Sequence, residues 1–450
     1  MTNLRETIDH YHSLLDPETA RETHEHLTEQ LLRRGLFFGD RPLSTVLRPR
    51  FIHPGQYRAL QVGIQAVMPA FQKIYHAALA NASFRAQFRL NEWEQELIQV
   101  DPGFDTPSPT SRMDTFFDEE ESLWLCEYNA ETPAAIAYTD VITEVYYGLP
   151  VMREFTKHYE MRPLFGRHLM LHTLIDCYRQ WGGTERPCIA ILDWKEVPTY
   201  SEFVLFHDYF ELNGYDCVIA DPREVTYENG RLMADGKQIH LIYKRVLISE
   251  LVERGGLDHP VVRAVRDNAV CMVNPFRSKI LHKKASLAVL SDETNAHFFT
   301  ADELAAIERY IPWTRMLEER HTVYKGQRVD LLPFLVLHKD EFVIKPNDEY
   351  GGKGVVLGWE VDSDEWETVL KTALTEPFIV QKRLPLPKIP YASWVEGRVE
   401  IYDRMIDTNP FIWYGNYVDG CLTRLSTVDL LNVTAGGGSV VPTFVVNPRA

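Results

Sequence analysis

FVIKPNDEYGGKGVVLGW, residues 342–359, places Lys345 at the end of an apolar run, then Gly351, Gly352 and Gly354 around Lys353, then a second apolar run. Glycine within regular structure costs roughly 0.5–1 kcal/mol. Three within four residues therefore mark either a backbone that must approach something closely or a surface hairpin with a permissive turn. The stretch is not a phosphate-binding P-loop, because Gly354 is followed by Val355, Val356 and Leu357 rather than Lys-Ser/Thr. It is not the kinase arrangement either, since Lys345 precedes the glycines. What is left is a glycine-rich hairpin flap whose bare amides could lie over phosphates, with Lys345 and Lys353 as local positive charge.

A second stretch upstream, RMDTFFDEEESLWLCEYNAETP (112–133), carries more chemistry. With DEEE (118–121) as the turn, Phe117 pairs with Ser122, Arg112 lies opposite Glu127 and Asp114 lies opposite Leu125. Side chains alternate along strands, so Arg112, Asp114, Glu127 and Asn129 share one face. Met113, Cys126 and Tyr128 point to the other. One reading is a solvated strand pair held by an Arg–Glu contact. The other is a cation site. Two carboxylates ~4 Å apart repel by roughly 4 kcal/mol at an effective dielectric near 20, and a divalent cation reverses that sign. Hard cations such as Mg²⁺ take carboxylate, carbonyl, water and phosphate oxygens.

The whole chain sets limits on partners. Its 450 residues suggest about three domains, and 45% apolar with 25% charged residues is ordinary globular composition. A net charge of -17 with no long basic run argues against nucleic acid. The six cysteines are scattered without a CxxC pair, which suggests neither zinc nor a disulfide framework and fits a reducing, cytoplasmic setting. No apolar run approaches the ~18 residues of a membrane span, and the charged N-terminus does not read as a signal peptide.

Residues 1–100 read mostly as helices, and 101–111 as a Pro/Ser/Asp boundary loop. The run RPCIAILDW, the helix after it, and the strands YDCVIAD and IHLIYKRV form a parallel α/β unit. SKILHKKASLAVLSD reads as one helix, and TADELAAIERYI as another with Thr300 and Glu303 at capping-box spacing. EPFIVQKRLPLP is a buried strand ending near Gln381.

Together these segments resemble the circularly permuted ATP-grasp proteins, and among them the glutathionylspermidine synthetase-like family. The matching pieces are RMD…EYNAETP, HKKASLAVL, FVIKPNDEYGGKGVVLG, FIVQKR and GCLTRLS…NVTAGGGSVVP, covering about three quarters of the chain from residue 112 onward. The metal-ligand strands precede the glycine flap, as in the permuted branch. The resemblance implies an α/β fold with α+β elements. Its parts would be a helical N-terminal region (1–100), a metal-ligand hairpin and helices of the large lobe (101–180), a pre-ATP-grasp-like α/β substrate domain (181–255), a small lobe with the flap (256–380), and an adenine hinge with the rest of the large lobe (381–450).

By position, the resemblance implies that Arg112 contacts phosphate and the tetrahedral intermediate, and that Asp114, Glu127 and Asn129 hold magnesium. Lys284, with Lys283 as the weaker candidate, and Lys345 would hold ATP phosphates. Gly351, Gly352 and Gly354 would form the flap, Ile379, Val380, Gln381 and Lys382 the adenine hinge, and Arg424 a late ATP contact. Asn432 and Gly436 to Gly438 match a loop without an assigned role. The implied activity is an ADP-forming carboxylate–amine ligase that uses ATP and Mg²⁺, with two ions expected, on small-molecule or peptide acids and amines. The alternative is a non-catalytic ATP/Mg-binding regulatory or assembly protein. No amidase is implied, because the first cysteine, Cys126, lies inside the hairpin. No motif names the acid or the amine.

Overall fold

The computed structural model describes residues 4–118, 122–427 and 438–449. The largest sheet is antiparallel, in the order Ser439–Val441, Tyr417–Ser426, Arg398–Trp413, Thr110–Phe117, Leu123–Asn129, with Lys388–Val395 pairing the first half of the long strand. The hairpin singled out by sequence is thus the outer pair of a broad sheet. Its back face is apolar: Met113, Phe117, Leu123, Leu125 and Tyr128 are buried against the helix Pro54–Ala80 and its neighbours. That helix is the apolar-periodic run expected within residues 1–100. It shares one core with the hairpin, and Arg50–Ile52 pairs in parallel with the C-terminal strand Thr443–Pro448.

The α/β unit is a parallel sheet in the order Cys271–Val273, Leu241–Lys244, Ile189–Leu192, Cys217–Ala220. Its strands are continuous apolar runs because helices cover them, as parallel sheets require. Asn274, just past Cys271–Val273, fastens this unit to the hairpin. Its Oδ1 accepts from Thr110 N, and its Nδ2 donates to the carbonyls of Thr110, Ala130 and Glu131. A buried carboxamide satisfied this fully is a rigid staple.

A third sheet, antiparallel, runs Thr314–Met316, Phe378–Lys382, Phe342–Pro346, Val356–Leu357. It packs on Trp366, Leu331 and Leu335. The Thr300–Glu303 capping box forms. The helix expected across SKILHKKASLAVLSD is instead two, Lys279–His282 and Ala285–Ser291, broken at Lys283 with ψ 130°. Tertiary pairing breaks it: the Lys284 and Ala285 amides donate to the backbone and side-chain oxygens of Asn347. Among the described residues no helix is long and apolar enough to cross a membrane.

Candidate functional site

The hairpin register differs from the sequence expectation. Arg112 pairs with Asn129, Met113 with Tyr128 and Asp114 with Glu127, then Thr115 pairs with Leu125. Cys126 is an extra residue, a β-bulge, and nearer the turn Phe117 pairs with Leu123 rather than Ser122. One residue more than expected separates the paired positions Phe117 and Leu123, the expected turn residues Glu119–Glu121 lying outside the described residues, and the bulge adds a second. Two one-residue shifts restore parity, so Glu127 and Asn129 still face the same side as Arg112 and Asp114, as the face assignment required. Leu125 and Cys126 do not follow it: Leu125 is fully buried in the core, and Cys126 turns with Glu127 into the cleft. A bulge places two successive side chains on one face. Burial pushes the Cys126 thiol up to about 12, so it is an inert wall.

The cleft, a cavity of about 190 Å³, lies between the hairpin face and the flap-bearing sheet. Arg112, Asp114, Glu127, Asn129 and Arg424 line one side; Lys284, Lys345, Gly351, Gly352 and Lys353 line the other. Asp114 is gripped by two guanidinium groups: Arg112 Nε to Oδ1 at 2.7 Å and Arg424 Nη2 to Oδ2 at 2.7 Å. Burial alone would raise its pKa, but the two arginines outweigh burial and hold it at about 2. Glu127 is half-buried, and Lys284 Nζ at 2.9 Å keeps its carboxyl below the usual range. Both carboxylates are ionised at neutral pH.

Lys284 and not Lys283 reaches the cleft. Lys283 is consumed by Glu94 and Asp348, each at 2.8 Å. Lys345 donates to Gln381 Oε1 at 2.8 Å, and burial lowers its pKa. Gly351, Gly352 and Gly354 all have left-handed φ, of 64°, 76° and 71°. At Gly354 a Cβ would also stand 2.7 Å from Pro346.

The hinge expectation is corrected at two positions. Ile379 and Val380 are buried in the cores, and residues 379–381 are paired on both sides, to Thr314–Met316 and to Phe342–Pro346. A central strand has no free edge for a nucleobase. Gln381 and Lys382 do line the cleft, and the chain becomes available beyond them at Leu384 and Leu386. Sequence reasoning missed Asp407, which lies opposite Arg424 in the ladder and accepts from its Nε at 2.7 Å. Burial raises the Asp407 pKa, and Arg424 opposes the rise. The i, i+2 spacing of Asp407 and Asn409 within an apolar strand was the available signal. Asn432 and Gly436–Gly437 lie outside the described residues.

Among the described residues no three His, Cys, Asp or Glu side chains gather around one point. The described residues thus supply no self-sufficient cage. Two carboxylates and a carboxamide do fit a Mg²⁺ that completes its shell with phosphate oxygens and water. Asn129 Nδ2 is buried without a hydrogen-bond partner. A carboxamide can present either end, so this is a polar group a ligand would satisfy.

No family model matches the chain. Over 119 residues it is 34% identical to uncharacterised proteins of Mycobacterium tuberculosis and Mycobacterium bovis. The match covers 24% of this chain and 21% of theirs, about a fifth of the length of those curated relatives. A solved glutathione synthetase-like effector from Globodera pallida, in its apo form, superposes with a TM-score of 0.61 at 12% identity, covering 96% of this chain and 98% of that one. A putative γ-glutamylcysteine synthetase from Methylobacillus flagellatus covers 89% of this chain and 90% of its own at 9% identity, with a TM-score of 0.43. The chain has the mixed α/β fold of the glutathione synthetase-like effector.

Proposed function

We propose that this chain is an ATP-dependent carboxylate–amine ligase, ADP-forming, with a permuted ATP-grasp arrangement similar to the glutathionylspermidine synthetases. One observation carries the reading: Lys284 and Lys345 face Arg112 and Arg424 across a single cleft roofed by left-handed glycines. An acidic chain has gathered Lys284 and Lys345 where a polyphosphate would lie and Arg112 and Arg424 where the reacting acid would meet it. The base would sit toward the apolar end, against Val343, Leu357, Trp359, Leu384 and Leu386. The hairpin preceding the flap in the chain supports the permuted arrangement, and six buried, unbridged cysteines support a reducing cytoplasmic setting.

Lys284 and Lys345 would hold the phosphates in place, and the flap amides would cover them. An oxygen of the substrate carboxylate attacks the γ-phosphorus, the P–O bond to the β-phosphate breaks, and ADP leaves. The amine nitrogen then attacks the acyl carbon, the acyl C–O bond to phosphate breaks, and the amine proton passes to solvent. Arg112 would donate to the oxyanion that forms on the carbonyl oxygen. Mg²⁺ held by Asp114, Glu127 and Asn129 would neutralise phosphate charge. The protein's work is positioning and fixed electrostatics.

ADP and inorganic phosphate should be released only when an acid and an amine are present together. Release of pyrophosphate, or ATP binding with no acid-dependent turnover across a broad panel, would reject the ligase in favour of a nucleotide-binding partner protein. Lys284→Ala and Lys345→Ala should each weaken ATP binding about ten- to a hundredfold, the worth of a charge-assisted contact. The two should differ toward metal. Lys284→Ala strips Glu127 of its partner, whereas Lys345→Ala leaves only neutral Gln381. Calorimetric titrations of ATP and Mg²⁺ check both.

A further inference from the structure

A second cavity, of about 150 Å³, opens beside the cleft and shares Arg112, Arg424 and Gly351 with it. Its other walls include Phe38, Leu43, Tyr138, Leu422 and Val440. No carboxylate lines it among the described residues. The Tyr138 hydroxyl is engaged with Ser201 and the Glu202 amide. The cavity therefore offers nothing to a cation, and its only charges are two guanidinium groups at the mouth it shares with the cleft. Those groups keep donors in hand. Arg112 uses Nε and Nη2 on Asp114 and Nη1 on the Ala134 carbonyl, which leaves a second N–H on each terminal nitrogen. Arg424 Nη1 makes no hydrogen bond among the described residues.

We propose that this cavity is the acid subsite, and that it takes a small monocarboxylic acid with an uncharged apolar body about the size of a benzene ring. The assignment rests on the ligase reading of the cleft. The carboxylate lies on Arg112 and Arg424, at the end of the cleft that the two cavities share, and the body fills the apolar pocket. An apolar cavity of about 150 Å³ is known to hold one benzene. A second carboxylate or an ammonium carried into these walls would lose its hydration without gaining a partner. Dicarboxylates and polyamines are excluded from this position on that ground.

The test uses the full chain with Mg²⁺ and a non-hydrolysable ATP analogue, titrated calorimetrically with phenylacetate, glutarate or spermidine. Phenylacetate should bind at least ~10-fold more tightly than glutarate, and spermidine should not compete with it. Phe38→Ala should weaken phenylacetate about tenfold or more, as loss of an aromatic wall does. Thr199→Trp, which fills the cavity from its rim, should abolish phenylacetate binding. Both variants should keep the nucleotide affinity of the parent. Equal or tighter binding of glutarate, or phenylacetate binding that survives Thr199→Trp, overturns the proposal. A second arm adds ATP and hydroxylamine, which traps an activated acyl group as hydroxamate with release of phosphate. Phenylacetate that binds in the pocket without yielding hydroxamate rejects the ligase and keeps the subsite. Hydroxamate from glutarate but not from phenylacetate keeps the ligase and rejects the subsite.

Discussion

Arg112→Ala should lower turnover by about 10²–10³, the usual cost of losing one oxyanion donor, while ATP affinity stays near that of the parent. An interaction that tightens in the transition state behaves in this way toward the nucleotide, and because the acid's carboxylate also lies on Arg112, the KM for the acid should rise with the loss of turnover. Arg112 is buried, with its guanidinium plane held by Asp114 and by the Ala134 carbonyl. Its remaining N–H groups are therefore aimed before substrate arrives. Arg112→Lys should recover little, because an ammonium cannot hold Asp114 with two donors and still present a third in a fixed plane. A purely structural role predicts something else. Asp114 would then be left with Arg424 alone, and melting temperature and Mg²⁺ affinity would fall together. Steady-state kinetics, a thermal melt and a Mg²⁺ titration on the same variant separate the two. Parent-level turnover would remove Arg112 from the chemistry.

Glu131→Ala should destabilise the fold by about 3–5 kcal/mol, the cost of stripping a buried ion pair of one partner. Glu131 is 1% exposed and accepts from Lys244 at 3.1 Å, Lys279 at 3.2 Å and the Ile248 amide at 2.6 Å. Without it, the fully buried Lys244 keeps, among the described residues, only the Val246 carbonyl at 3.2 Å. The effect should reach nucleotide binding. Lys279 also holds Asp348 at 2.8 Å, three residues before the first flap glycine. Urea unfolding measures the loss, and the ATP Kd of the surviving folded protein measures the reach.

The pH dependence has a definite sign. Burial would raise the pKa of Glu131, but Lys244, Lys279 and His282 hold it well below the usual range, and Lys279 and Lys283 do the same for Asp348. Carboxyls with depressed native pKa values stabilise fully above their unfolded pKa of about 4, and that contribution is lost as pH falls toward the native value. The parent should therefore lose stability steadily below about pH 4. Glu131→Gln, less stable at neutral pH, should show a shallower fall across the same range. Parallel acid profiles would show that Glu131 does not carry this linkage.

Legibility in the sequence followed the range of the interactions. Period-2 alternation gave the shared face of Arg112, Asp114, Glu127 and Asn129, and apolar runs gave the parallel strands of the α/β unit. The Thr300–Glu303 cap was visible because both partners lie within one turn. The bulge was not, since Cys126 is an ordinary strand residue and only its neighbour strand makes it supernumerary. The break at Lys283 was hidden for a similar reason: Asn347, more than sixty residues away, supplies the carbonyl and carboxamide that end the helix. Ile379 and Val380 read correctly as a strand, but whether a strand has one free edge or none is a property of the sheet. Asp407 went unnoticed because its partner, Arg424, lies across a ladder rather than along it.

The bulge also makes the hairpin asymmetric toward loss of a residue. Deleting Cys126 leaves Leu125 opposite Thr115 and brings Glu127 opposite Asp114 in an unbroken ladder, with every other side chain on the face it already occupies. Deleting Leu125 closes the ladder too but moves Cys126 into the core position opposite Thr115, whereas deleting Tyr128 carries Glu127 across the sheet, because a one-residue slip exchanges the two faces. Glu127 and Asn129 are thus indexed from the strand's two ends independently, with Cys126 as the slack between them. Deletion scanning of 123–129 should find one tolerated gap, and that gap is where a shorter form of this strand could arise without disturbing the cleft.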